Sequence, residues 1–86
     1  MNINELIAII KTKLENNFQI KNIKIEDKSF LHKNHKGNQE GKFHLKISLK
    51  SYQLKEMNKI ESNKKIFKIL DKEIKNSIHS IQILID

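Results

Sequence analysis

Four histidines, His32, His35, His44 and His79, supply the imidazole nitrogens of this sequence and with them its metal chemistry. No cysteine occurs among its 86 residues. The chain alone therefore makes no disulfide, no thiolate nucleophile and no Cys-based zinc or iron–sulfur site. His32 and His35 are three apart in a stretch, Lys28 to Gly41, that holds both glycines. His44 lies among Lys46 and Lys50 on the polar side of an alternating segment, so it is expected to face solvent. His79 has the parity of Ile81, Ile83 and Ile85, which predicts a place at the start of a core-facing row. A lone histidine in such a row is more often a hydrogen-bonded structural residue than a ligand. Two or three imidazoles do not complete a tetrahedral site, so a bound metal would need further ligands from a partner.

No other constellation of residues points to catalysis. There is no serine in a glycine elbow, no phosphate loop and no Cys–His pair. Glu26 and Asp27 adjoin the histidine-bearing stretch, but carboxylates at a strand end are ordinarily solvated. These features indicate a binding module and not an enzyme. The formal charge of +7 comes from 17 lysines against 10 acidic residues, with no arginine. Such a charge raises non-specific affinity for polyanions. Arginine, the residue best suited to bidentate phosphate and guanine contacts, is missing. Ile, Lys and Asn fill half the sequence and share AT-rich codons, so the lysine density reads chiefly as a solvated surface.

The elements that must position the histidines are legible from periodicity. Ile3, Leu6, Ile7, Ile10 and Leu14 form one stripe of a helix, with Asn2 and Glu5 spaced as a capping box and Asn16-Asn17 as a stop. Residues 18–27 change period, and Ile23 and Ile25 alternate with Lys24 and Glu26 as in a half-buried strand. Phe43, Leu45, Ile47 and Leu49 face one way in a clearer strand. The fourteen residues from Lys28 to Gly41 that lie between these strands exceed an ordinary hairpin loop, and Phe30 and Leu31 give them apolar anchors, which favours a functional loop. A weak helical piece spans Leu54 to Lys59. A stronger helix is expected from Ser62 as N-cap, with Ile66, Phe67, Leu70 and Ile74 on its buried face and Asn76 at its end. The final segment, with Ile81, Ile83 and Ile85 alternating, reads as a strand.

The expected order is α-β-β-α-α-β, a single α+β domain over residues 1–86 in two layers, with a three-stranded mixed sheet. The helical crossover lets the last strand lie parallel to a neighbour. Lacking a signal-peptide pattern and any apolar run long enough to span a bilayer, the chain is expected to be cytoplasmic and to have no membrane partner.

Spaced motifs along this order resemble the BolA family. They are the loop Glu26-Asp-Lys-Ser-Phe-Leu-His32, the Gly-Lys-Phe43 that opens a strand, and the ending Leu70-Asp-Lys-Glu-Ile-Lys-Asn-Ser-Ile-His79-Ser-Ile. Family members carry an acidic-x-Ser loop with His or Cys three residues after the Ser, a His-Phe strand start, an Arg-His-Arg helix start and a closing segment containing a His. Here the His-Phe pair is Lys42-Phe43, and Arg-His-Arg is Ser62-Asn63-Lys64. The resemblance implies a fold like a type II KH domain. It also implies a [2Fe–2S] cluster shared in a heterodimer with a monothiol glutaredoxin, and no cofactor on the isolated chain. The partner's cysteine and a glutathione thiolate would hold one side of the cluster. His79 and His32 would complete the other, with His35 as a substitute for His32. A nucleic-acid-binding regulator is the other function the resemblance suggests, with Lys64, Lys65, Lys68 and Lys72 as candidate contacts. Residues 54–64 contain no glycine, so the Gly-x-x-Gly loop of KH domains is missing.

Overall fold

The stripe at the start of the chain folds as helix α1, Ile3–Asn17. The computed structural model describes residues 2–29 and 42–86. Asn2 caps α1 reciprocally with Glu5: its Oδ1 accepts from the Glu5 N–H at 2.8 Å and its Nδ2 donates to Glu5 Oε1 at 3.2 Å. The helix buries Leu6, Ile10 and Leu14 against a sheet. Each fully buried leucine or isoleucine contributes about 2 kcal/mol relative to exposure.

Strand β1, Asn22–Asp27, pairs antiparallel with β2, Phe43–Lys50, and β2 pairs parallel with β3, Ile78–Ile85. The order β1-β2-β3 makes β2 the central strand of a three-stranded mixed sheet. Leu45, Ile47 and Leu49 of β2 are buried with the leucines of α1 and with Leu54, Ile66 and Leu70 of the later helices. All three have one parity, so the helices cover one face of the sheet and leave the other open. This is the expected α+β architecture in two layers.

Three short helices cross from β2 to β3: α2 over Tyr52–Lys55, α3 over Lys59–Ile69 and α4 over Asp71–Asn76. Here the structure corrects the sequence reading. The longer helix begins at Lys59, with Asn58 as its cap accepting from Glu61 N–H at 2.8 Å. Ser62 is not the cap; it is buried within the helix, donating its hydroxyl to Lys59 O at 3.1 Å. The buried stripe is Ser62, Ile66 and Leu70, and Phe67, expected on the buried face, turns outward with 40% of its surface exposed. At Leu70, with φ −94° and ψ 13°, the chain leaves helical geometry, so Asn76 closes α4 and not one continuous helix.

An ion pair ties this crossover to the first helix. Lys13 Nζ reaches both carboxylate oxygens of Glu73 at 2.8 Å, and Glu73 is only 6% exposed. A carboxylate removed from water to that degree requires such a partner. No helix among the described residues is long and apolar enough to cross a membrane.

Candidate functional site

The site is built around an irregularity in the parallel pair of strands. Phe43 of β2 lies opposite Ile78, but His44 lies opposite Ser80. His79 therefore has no counterpart in β2 and is the extra residue of a bulge. The bulge overturns the parity expected for His79. Ile78 takes the core position and is 4% exposed, whereas His79 is exposed. Downstream, Ile81, Ile83 and Ile85 resume the expected row opposite Leu45, Ile47 and Leu49.

His44 is also corrected. It sits on the sheet face opposite the helices, as alternation predicts, yet it is only 5% exposed. Its ring lies 4.8 Å from that of His79, centroid to centroid, with the planes inclined at 57°. Its Nδ1 is 2.6 Å from the hydroxyl of Ser80, the residue opposite it in the sheet. Alternation could not reveal this pairing, because it depends on a register shift between segments distant in sequence.

The end of β1 grips the same residue from the other side. Lys28 N–H donates to His44 O at 2.7 Å, and His44 N–H donates to the Ser29 hydroxyl at 3.0 Å. Asp27 bends the chain between them, its carboxylate accepting from the Ser29 N–H at 2.9 Å. The Asp27-x-Ser29 motif thus turns the chain out of β1 and fastens it to the backbone of His44. Phe43 N–H in turn donates to Ser77 O at 2.9 Å, which joins the start of β2 to the residue before β3. The two anchors of the intervening segment, Ser29 and Lys42, therefore both adjoin the bulge. His32 and His35 lie in that segment, at residues 30–41, outside the described residues.

Nearby, Lys28 Nζ contacts Glu26 at 3.0 Å. The hydrogen bond from Lys28 holds the Glu26 carboxyl below its ordinary value of 4.5, with Lys24 and Lys46 adding charge of the same sense. Among the described residues, no group of three or more His, Asp or Glu side chains could hold a metal ion. Ligands from elsewhere would have to join His79.

The lysines lie apart from this cluster. Lys64, Lys65 and Lys68 are exposed on α3 and Lys72 on α4, beyond the break at Leu70. Asn63 carries a buried Oδ1 with no hydrogen-bond partner among the described residues. Its side chain adjoins a cleft of about 320 Å³ lined by Leu54, Met57, Ile83 and Ile85, at the far end of β3.

A family model described as BolA-like protein matches residues 14–85. The chain belongs to the BolA-like family. Among curated relatives, the DNA-binding transcriptional regulator BolA of Haemophilus influenzae is 29% identical over 75 residues, covering 87% of this chain and 70% of that protein. Two solved structures share the fold of this BolA-like chain. The BolA domain of SufE1 from Arabidopsis thaliana superposes with a TM-score of 0.78 at 21% identity, covering 100% of this chain and 93% of that one. BolA1 from Arabidopsis thaliana gives 0.76 at 20% identity, covering 93% and 88%.

Proposed function

We propose that this BolA-like protein shares a [2Fe–2S] cluster with a monothiol glutaredoxin and acts in iron–sulfur assembly, trafficking or iron sensing. The observation that carries this reading is the exposed imidazole of His79 on a bulge flanked by both anchors of the segment bearing His32 and His35. The donor set fits such a cluster. The chain brings imidazoles and no thiolate, so the thiolates would come from the glutaredoxin and from glutathione. His79 and His32 would be this chain's ligands, with His35 able to replace His32. When bound, the cluster would supply one-electron redox chemistry, at a potential raised by imidazole in place of thiolate. The chain's own contribution is to display His79 on the sheet and to hold Ser29, where the segment bearing the loop histidines begins, against His44. To test the reading, the two proteins are mixed with iron, sulfide and glutathione and visible circular dichroism is recorded. His79→Ala is expected to abolish the heterodimer spectrum; an unchanged spectrum defeats the ligand assignment.

A second reading, a KH-like nucleic-acid-binding regulator, draws on the function named for the Haemophilus relative. Exposed Phe67 lies one turn from Lys64 and beside Lys68, a basic surface with an aromatic ring on which a base could stack. Sequence-specific binding would give different affinities for unrelated duplexes across a salt titration. Equal affinities throughout would reduce the effect to counterion release.

A further inference from the structure

The reading of His79 as a ligand gives His44 no role, although the polar contacts of the site converge on it. His44 is 5% exposed and its Nδ1 is engaged by Ser80 at 2.6 Å. A residue so enclosed is poorly placed to meet a cluster carried on another protein. Its ring instead forms a wall 4.8 Å from the ring of His79. An exposed histidine on a bulge otherwise has free rotation about both side-chain bonds, and ordering it on binding costs entropy. We propose that His44, clamped by Ser80, by the Lys28 N–H and by the Ser29 hydroxyl, is a positioning residue that fixes the ring orientation of His79 and couples it to the root of the loop.

Each part of that assembly has a separate job. The bulge sets where the His79 backbone points. Ser80 fixes the plane of the His44 ring, in the way groups behind a metal-binding histidine commonly orient it. Ser29 holds the His44 N–H and begins the segment that leads to His32. A shift of the loop root is thereby transmitted to His44 and, through its ring, to His79.

This positioning role rests on the cluster-sharing reading for its purpose, but its physical content is tested without the cluster. Three-bond couplings across the Cα–Cβ bond of His79 are measured by NMR in the labelled apo protein. The wild type is expected to show one dominant rotamer. His44→Ala is expected to give averaged couplings, and His44→Phe, which keeps a ring in place, to restore the dominant rotamer. A single rotamer retained in His44→Ala overturns the proposal. Should that variant fail to fold, Ser80→Ala decides in the same way, averaging supporting the proposal and one rotamer overturning it. In the reconstituted heterodimer, the folded variant is expected to bind about tenfold more weakly, and unchanged affinity also overturns the proposal. His79→Ala serves as the separate control: if it leaves the heterodimer spectrum intact, the ligand reading fails while the apo couplings still decide the role of His44.

Discussion

The two ends of β3 solve opposite problems. At its start the ladder is broken by a bulge, and the surrounding polar groups are tied together: Asp27 to Ser29, Ser29 to His44, Lys28 to His44, and His44 to Ser80. At its finish the ladder is regular through Leu49 and Ile85, and the neighbouring surface is a cleft in which apolar Leu54, Met57, Ile83 and Ile85 meet Lys55 and Lys59. There Leu54 is fully buried, while Asn63 Oδ1 has no partner among the described residues. The bulged end uses hydrogen bonds to present an imidazole. The regular end uses packing to hold the helices on the sheet. Display of an exposed imidazole and packing of the core are thus divided along a single strand.

Substitutions can break this division, beginning with packing. Leu54→Ala at the regular end is expected to destabilise the protein by about 3 kcal/mol, read as a lowered denaturant midpoint at constant slope. A loss below about 1 kcal/mol would mean that the cleft end carries little of the stability. Ser29→Ala at the bulged end removes the acceptor of the His44 N–H and is expected to cost about 1 kcal/mol. Faster amide hydrogen exchange confined to His44 and its neighbours would accompany that loss, whereas global acceleration would contradict a local role. Asn63→Leu carries the opposite sign. Removing a buried acceptor that lacks a donor is expected to be neutral or stabilising by up to about 1 kcal/mol. A clear destabilisation would show that Asn63 is satisfied in solution.

The smallest effect concerns pH. The carboxyl of Glu26 titrates lower in the folded chain than its ordinary 4.5, chiefly through Lys28. Its contribution to stability is therefore present above that value and is lost as pH falls through the lower folded value. The stability gap between wild type and Glu26→Gln should close over that acid range in a pH series of urea melts. A gap that widens on acidification would contradict the assignment.

What sequence made legible was local. The Asn2–Glu5 box, the stripe of α1 and the alternation of β2 depend on neighbours a few residues apart, and each appears as expected. The start of α3 is also encoded, because Asn58 and Glu61 repeat the Asn2–Glu5 spacing, but Ser62 offers a competing cap four residues later. Starting the helix there leaves Ser62 off the buried stripe, and a stripe drawn through apolar residues alone takes in Phe67. The site was less readable because it is made by pairing. His79, Ile81, Ile83 and Ile85 alternate as in any straight strand, and only the register against Phe43 and His44 expels His79 and brings Ile78 inside. The ion pair of Lys13 with Glu73, separated by 60 positions, has no local signature either.

The parallel pairing of β2 with β3 has a consequence for how the molecule comes together. β1 and β2 join through neighbouring chain, but Ser80 is 36 positions from His44, with three helices between them in sequence. Long closures of this kind are entropically costly and come late in folding. A nascent or partly unfolded chain therefore owns its histidines without owning their arrangement. The paired rings exist only once the last strand has docked, so the arrangement of His44 and His79 reports a completed sheet.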